Sequence, residues 1–207
     1  MLQNIMEQDL KILTLYARDY AASYSIHQIT QKLKLNYSYT FKRIKSLVKL
    51  NILTLKKEGQ SNKVSLNSKN LDSLRLIGLV EQQEVRKMNN PQLELLAKEA
   101  LQMDPFCCIG LFGSRVSGKA NKDSDWDVFI LCSKSKIKQM GKILSKLPYL
   151  KNIQLQIFSE EEFQESLASP EETVIKHMIR NKLIIYNHFP FYNLISYFER
   201  IKYAPAD

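Results

Sequence analysis

A glycine-serine turn and a nearby pair of carboxylates are the residues of this chain best suited to chemistry. The turn, Gly113-Ser114, follows an apolar segment at 106–112, and Asp125 and Asp127 stand one residue apart at the start of the next apolar segment. Glycine lets the backbone approach an anion closely, and residues i and i+2 of a strand share a face. The spacing predicts a site for a nucleoside triphosphate (NTP) with Mg²⁺ or Mn²⁺.

The residues from 113 to 130 form the pattern GSxxxGxxxxxSDxDxxI. This pattern resembles the signature of minimal nucleotidyltransferases of the DNA polymerase β superfamily, and the resemblance covers about residues 104–187. It implies attack of an acceptor hydroxyl on the α-phosphorus, with transfer of a nucleoside monophosphate and release of pyrophosphate. The resemblance assigns the metal and the catalytic role to Asp125 and Asp127. It assigns nucleotide binding to Gly113, Ser114, Arg115 and Ser124.

The third carboxylate of that superfamily has no evident counterpart in this chain. Family members carry it on a later strand, where it helps to activate the attacking hydroxyl. Alternation predicts that strand at 152–159, with Gln154 and Gln156 on its polar face. A glutamine is neutral and takes no proton at neutral pH. Either the domain binds metal-nucleotide without transfer, or another carboxylate stands in, such as Glu160, Glu161 or Glu162. Ser159 and Glu162 also predict a capping box that starts a helix.

Charge is distributed unevenly along the chain. Residues 1–70 hold 12 Lys+Arg and 4 Asp+Glu, whereas residues 71–207 hold 18 and 17. Nearly all of the net charge of +9 therefore lies in the first third. A strongly basic domain beside a neutral one indicates a polyanionic partner for the first, most often nucleic acid.

The periodicity of the first third predicts helices at 2–20, after Ser25 and at 37–50, then strands at 52–56 and 63–67. This order resembles a winged helix-turn-helix domain, whose third helix enters the major groove of duplex DNA while the hairpin wing touches the backbone. The predicted DNA contacts on helix and wing are Tyr37, Ser38, Tyr39, Lys42, Arg43, Lys45, Lys49, Lys56, Lys57 and Lys63. The alternative is a winged helix used for protein contacts, with a solvated basic face.

The whole chain is predicted to be an α+β protein. Its parts are a winged helix-turn-helix domain at 1–68, a helical connector at 69–103 and a polymerase-β-type nucleotidyltransferase domain, with a mixed sheet and flanking helices, at 104–207. The apolar connector predicts packing on the transferase sheet or a homodimer interface. No apolar run approaches a membrane span, so a cytoplasmic protein is expected.

Three functions fit these observations. The first is a DNA-binding nucleotidyltransferase. The second is a transcription regulator whose transferase-like domain only senses nucleotide. The third is an antitoxin-like partner of a HEPN-type toxin, since similar minimal transferases are paired with such toxins.

Overall fold

The computed structural model of the chain describes residues 5–59, 61–150 and 152–202. Its contacts divide the chain into two units, Met1–Val80 and Glu81–Asp207. The division falls inside the predicted connector, and the three-part division at 1–68, 69–103 and 104–207 stays a prediction. Among the helices of the described residues, none has the length and apolar character needed to cross a membrane.

The first unit has the element order that the sequence predicts for a winged helix. Helices α1 (Glu7–Arg18), α2 (Ile26–Leu33) and α3 (Tyr37–Lys49) precede a hairpin of β2 (Leu53–Glu58) and β3 (Ser61–Leu66), and α4 (Leu71–Lys87) follows. A three-residue strand that alternation does not reveal, β1 (Ser23–Ser25), pairs antiparallel with β3. The sheet order is therefore β1-β3-β2.

Local capping sets where α2 and α3 begin. The Ser25 hydroxyl accepts a hydrogen bond from the Gln28 N–H at 3.2 Å, and the Gln28 side chain accepts one from the Ser25 N–H at 2.8 Å. This reciprocal box confirms the predicted start of α2. Asn36 caps α3 by accepting from the Tyr39 N–H at 3.1 Å. Because Ile44 and Leu47 are buried, α3 turns one face to the core and the opposite face outward.

The second unit is built around a four-stranded sheet in the order β6-β5-β4-β7. Its strands are β4 (Cys108–Phe112), β5 (Trp126–Leu131), β6 (Ile153–Phe158) and β7 (Lys182–Tyr186). Its helices after α4 are α5 (Pro91–Met103), α6 (Ser114–Ser117), α7 (Ile137–Leu144), α8 (Glu160–Ala168), α9 (Val174–Arg180) and α10 (His188–Lys202). β5 and β6 are parallel and joined through α7, whereas β4 pairs antiparallel with both β5 and β7.

Alternation along β5 gives the sheet two differently packed faces. Val128 and Ile130 point to one face and share a core with Met140 of α7. Phe129 points to the other face, where its ring lies 5.5 Å from that of Phe191 on α10. A Cβ atom added to Gly110 would lie 2.4 Å from the Phe129 ring, so this glycine makes room for the aromatic packing. Because Asp127 shares the parity of Phe129, it projects from the aromatic face, near the start of β5.

The three cysteines, Cys107, Cys108 and Cys132, are buried and unpaired, as their apolar surroundings in the sequence predict. Burial raises the pKa of the Cys132 thiol to about 11. A thiol that stays protonated at neutral pH is a poor nucleophile, which fits a packing role for these residues.

Candidate functional site

The Gly113 turn is in direct contact with the Asp127 carboxylate. Phe112 at the end of β4 pairs with Asp127 in the sheet, so the turn that follows comes to lie over this side chain. Gly113 has φ +76° and ψ −150°, a combination open essentially to glycine alone. A Cβ atom at this position would lie 2.1 Å from Oδ2 of Asp127. Turn and carboxylate therefore form one structural element, as their sequence spacing predicts.

The surroundings of Asp127 disfavour its ionised carboxylate, which a bound cation would stabilise. Burial, and then the charge of Asp125, raise the pKa of Asp127, while a hydrogen bond from the Ser114 backbone N–H opposes that rise. Asp125 is exposed and immediately precedes β5. Two adjacent carboxylates, one of them partly desolvated, repel one another until a positive charge is bound. The pair therefore offers hard oxygen ligands to a divalent cation.

The strand predicted at 152–159 is confirmed as β6, and its register identifies which glutamine lies at the carboxylates. Gln154 pairs with Asp127, and Gln156 pairs with Phe129, further along the strands. The Gln154 amide Nε2 lies 3.4 Å from Oδ2 of Asp125, within reach of a long hydrogen bond. Gln154 thus occupies the place where the polymerase β resemblance implies a third carboxylate.

The three glutamates considered as substitutes lie at the wrong end of the sheet. Glu160, Glu161 and Glu162 form the first turn of α8, beyond the last residue of β6. Because β5 and β6 are parallel, that end is opposite to Asp127 and Gln154, about 17 Å away for five residue steps. Glu162 is used in capping, since it accepts from the Ser159 N–H at 2.8 Å, which confirms the predicted box. Of the two alternatives, the one in which a glutamate of this triplet replaces the missing carboxylate is therefore not supported by the geometry of the sheet.

The donor set fits one Mg²⁺ ion better than two. Asp125 and Asp127 supply two carboxylates, and Gln154 adds a neutral amide. In the part of the chain that the structure describes, no three His, Cys, Asp or Glu residues converge as a metal cluster. Mg²⁺ commonly takes one or two protein carboxylates and completes its shell with water and substrate phosphates.

Arg115 and Ser124 brace the loop that leads to Asp125. The Arg115 guanidinium donates to the carbonyl oxygen of Ser124 and stacks over the Trp126 ring, 4.4 Å from its centroid. The Ser124 hydroxyl donates to the Asn121 side chain at 2.9 Å. The resemblance assigns both residues to the nucleotide, which stays a prediction, and in the structure they fix the loop before Asp125. Of the predicted nucleotide contacts, Gly113 and Ser114 keep their place beside Asp127.

A buried ionic network that sequence reasoning missed lies beside the turn. Lys182 pairs with Phe112, the residue before Gly113, and its ammonium donates to the fully buried carboxylate of Glu81 and contacts the Tyr192 hydroxyl. The same Glu81 oxygen accepts from the Tyr192 hydroxyl at 2.9 Å. In the sequence, the only sign of this network is a lysine at a position of an apolar strand whose side chain points inward.

The outward face of α3 carries most of the predicted DNA contacts. Tyr37 is 51% and Tyr39 42% exposed. The exposed set also contains Ser38, Lys42, Lys45 and Lys49. The Lys45 ammonium lies over the Phe41 ring, 4.9 Å from its centroid. Tyrosine, serine and lysine on one accessible helix face suit contacts with phosphates and base edges.

Arg43 departs from the prediction that it faces outward with the lysines. Its guanidinium forms an ion pair with the fully buried Asp9 carboxylate of α1, and only 14% of the Arg43 side chain is exposed. Hydrogen bonding to Asp9 raises the pKa of Arg43 further. We therefore reassign Arg43 from DNA contact to the internal structure of the unit.

The wing supplies basic residues on both sides of its hairpin. Lys56 and Lys63 are directly opposite one another in the register, so they share a face, and Lys57 lies on the other face. Lys56 and Lys57 are exposed, whereas Lys63 is half-buried. Lys56 and Lys57 are accordingly the more accessible of the predicted wing contacts.

Comparisons with solved structures show partial, low-identity similarities. One is the homodimeric winged helix-turn-helix DNA-binding domain of a possible ArsR-family transcriptional regulator from Mycobacterium bovis (21% identity, 40% of this chain, 69% of that chain, TM-score 0.32). A second is a MarR family protein from Bacillus stearothermophilus (11% identity, 48% and 71%, TM-score 0.35). A third is a toxin-antitoxin solved with AMP-PNP (15% identity, 53% and 89%, TM-score 0.33). The assignment of the first unit as a winged helix depends on its own order of helices and strands.

A comparison with curated proteins gives no match. The family model described as "Polymerase beta, Nucleotidyltransferase" matches residues 96–189. The matched segment includes the Gly113 turn, Asp125, Asp127 and Gln154. Residues 96–189 are therefore a nucleotidyltransferase domain of the polymerase β family, joined in this chain to an N-terminal winged helix-turn-helix.

Proposed function

We propose that this protein binds duplex DNA through its winged helix and binds a magnesium-NTP complex at Asp125 and Asp127, with slow or no nucleotidyl transfer. In this reading it is a nucleotide-sensing regulator. The observation that carries the proposal is the Gln154 amide beside Asp125. The site has the acidic pair and the turn for a metal-bound triphosphate, but an amide replaces the group that would accept the acceptor hydroxyl's proton.

The residues present divide the binding work between them. Asp125 and Asp127 would hold Mg²⁺, which when bound neutralises triphosphate charge. Gly113 leaves the backbone open to a phosphate because it has no Cβ, and Ser114 offers a hydroxyl at the same turn. Arg115 acts indirectly, since its bond to the Ser124 carbonyl keeps the loop before Asp125 in place.

Transfer would be slow because the side chain that β6 places beside Asp125 and Asp127 is the Gln154 amide and not a third carboxylate. Gln154 has an amide, which does not accept a proton at neutral pH. Glu160, Glu161 and Glu162 lie at the opposite strand ends. Loss of a general base costs on the order of a hundredfold to ten-thousandfold in rate. Binding needs no proton transfer, so it survives this loss.

The DNA-binding half of the proposal depends on charge and exposure. Lys42, Lys45 and Lys49 extend from the accessible face of α3, and Lys56 and Lys57 extend from the wing. Each lysine that neutralises a phosphate releases condensed counterions, which strengthens binding at low salt. Homodimer formation would suit a two-fold operator.

Titration calorimetry with Mg-ATP and Mg-GTP, together with transfer of labelled triphosphate, tests the nucleotide site. We expect wild type to bind at least one triphosphate in a metal-dependent manner and to transfer little. The double variant Asp125→Asn, Asp127→Asn should lose metal-dependent binding and keep duplex DNA binding. Equal Mg-NTP affinity in wild type and this variant would contradict the site assignment.

A matched pair of substitutions on β6 tests the reason for slow transfer. Gln154→Asp restores a carboxylate next to Asp125 and should raise turnover. Gln156→Asp introduces the same charge two residues further along the same strand face, about 7 Å away, and should leave turnover unchanged. Robust wild-type transfer that persists in Gln154→Ala would show that the base comes from elsewhere, and the protein would then be an active transferase.

A further inference from the structure

The second unit concentrates positive charge on one segment although its overall charge is nearly balanced. Between Val128 and Ser159 the chain carries six lysines and no Asp, Glu, Arg or His. The segment includes the last four residues of β5 and the whole of α7 and β6. The carboxylates that balance the charge of the unit lie outside this segment of the sequence, and two of them, Asp104 and Glu161, interact electrostatically with Lys136 and Lys134. The other lysines of the segment are Lys138, Lys142, Lys146 and Lys151.

Three of these lysines form a row along α7 and the residues that follow it. Lys138 and Lys142 lie one turn apart on the same face of α7, with about 6 Å of rise between them. α7 ends at Leu144, and Lys146 lies in the turn that follows, where its N–H donates to the carbonyl oxygen of Ile143 at 3.1 Å and its side chain lines the same depression as Lys142. All three are exposed. Within the described residues, none of the three forms an ion pair with a carboxylate. Their charges are therefore available to a ligand.

Apolar side chains lie between the lysines of the row. Ile143 is 37% exposed, and it lines a shallow depression together with Lys142, Lys146 and Leu147. The opposite face of α7 is fully buried at Met140 and Leu144. Ile143 is therefore the aliphatic group most accessible to a ligand, whereas Leu147 is half-buried and also packs against the core.

The row leads toward the end of the sheet that holds the nucleotide site. Lys146 and Leu147 line a groove with Ile153, the residue before Gln154. Asp127 and Gln154 project from the aromatic face of the sheet, whereas α7 packs against the other face. A ligand on the lysine row and a triphosphate beside Asp127 can therefore be bound at the same time.

We propose that the surface formed by Lys138 and Lys142 of α7 and by Lys146 in the turn after it binds single-stranded nucleic acid. Evenly spaced, unpaired lysines suit a chain of phosphates, and the aliphatic groups between them suit bases or sugars, which a single strand exposes and a duplex largely covers. Lysine is depleted in protein-protein interfaces, whereas interfaces with nucleic acid are strongly positive. An acidic protein is thus the less favoured occupant. The proposal requires neither bound nucleotide nor transfer.

Fluorescence anisotropy with a labelled oligouridylate of about twelve nucleotides tests this surface without nucleotide or metal. The full-length protein carries Lys42→Gln, Lys45→Gln and Lys49→Gln, which suppress binding by the winged helix. To this background we add Lys138→Gln, Lys142→Gln and Lys146→Gln. The matched control adds Lys87→Gln, Lys98→Gln and Arg180→Gln, three exposed positions of the same unit with the same change in net charge.

We expect the background protein to bind the single strand and the α7 variant to bind it about a hundredfold more weakly at about 0.1 M salt. The log-log salt slope should fall by about two, because each lost phosphate contact on a single strand contributes about 0.7. The control should stay within about twofold. Equal affinity of the α7 variant and the control would overturn the proposal, as would a background protein that does not bind. Displacement by poly-glutamate as effective as by the oligonucleotide would assign the surface to acidic proteins instead.

Discussion

Replacement of Gly113 by alanine should damage both the stability of the second unit and its nucleotide site. The added Cβ would lie 2.1 Å from Oδ2 and 2.9 Å from Cγ of Asp127, so the carboxylate must move. Moving it breaks the hydrogen bond from the Ser114 N–H, and bonds to charged groups contribute about 1.5–3 kcal/mol. The backbone conformation of Gly113 adds about 1–3 kcal/mol of strain. We expect a total cost of about 3–5 kcal/mol.

Gly118 provides the control, because it ends the same short helix with nearly the same φ, +75°. A Cβ atom there would meet nothing within 4 Å. Gly118→Ala should therefore cost only about 1 kcal/mol, since alanine pays for the left-handed conformation but also restricts the unfolded chain. The difference between the two variants contains the contact with Asp127 and the greater backbone strain at Gly113, where ψ is −150° instead of 16°.

Urea unfolding followed by tryptophan fluorescence measures this difference. Trp126 is the single tryptophan of the chain and is adjacent to Asp127, so its emission reports on the second unit alone. Calorimetry with Mg-ATP or Mg-GTP on the same variants reports on the site. Gly113→Ala should lose metal-dependent nucleotide binding, and Gly118→Ala should keep it.

A double-mutant cycle with Asp127→Ala sharpens the test. That substitution removes Oδ2 and Cγ and leaves only the Asp127 Cβ, 3.3 Å from the new methyl group. In this background Gly113→Ala should cost only its backbone strain, so the two substitutions should not be additive. Additive costs, or a Gly113→Ala cost no larger than that of Gly118→Ala, would refute the steric account.

Three further predictions follow from the contacts described above. Replacing the exposed lysines of α3, which are Lys42, Lys45 and Lys49, with glutamine should weaken duplex DNA binding and lower its log-log salt slope by about one for each lost phosphate contact. Arg43→Gln should instead lower the thermal stability of the first unit, because it leaves the buried Asp9 charge without its ion pair. Asp127→Asn should stabilise the metal-free protein at pH 7, because the pKa of Asp127 is raised in the folded state and its ionised form therefore opposes folding. The gain in stability, measured by thermal melting, should vanish below about pH 4, where aspartate is protonated in the unfolded chain as well. Lys182→Met should destabilise the second unit by about 3–5 kcal/mol in urea unfolding, because it leaves the buried Glu81 charge unpaired. Adding Glu81→Gln should recover much of this loss. An undiminished loss in the double variant would rule out the unpaired buried charge as the cause.

Short-range features of this protein are determined by the sequence alone. The position of Asp125 and Asp127 at the start of β5 follows from the apolar run behind them, and the capping boxes at Ser25 and Ser159 depend on residues three positions apart. The order of helices and wing strands follows from periodicity in the same way. These features are readable because the interacting groups are close in sequence.

The tertiary structure decided which partner each charged or polar side chain acquired. Arg43 is paired with Asp9 of another helix, and Lys182 reaches Glu81 across the second unit. Local periodicity separates buried from exposed faces, but it does not identify a partner that packing brings from a distant segment. β1 escaped prediction for a related reason, since a three-residue strand has too little alternation and exists through its pairing with β3.

In the nucleotide site, some features follow from the sequence and others from the tertiary structure. Alternation predicts that a polar strand face carries Gln154 and Gln156, but only the register of β6 against β5 places Gln154, and not Gln156, beside Asp125. The same parallel pairing sends Glu160, Glu161 and Glu162 to the far end of the sheet, although in sequence they follow β6 directly. The sequence already indicates that the third carboxylate is missing, but strand order and register are set by burial of whole sheet faces, so the residue that takes its place became evident only in the folded chain.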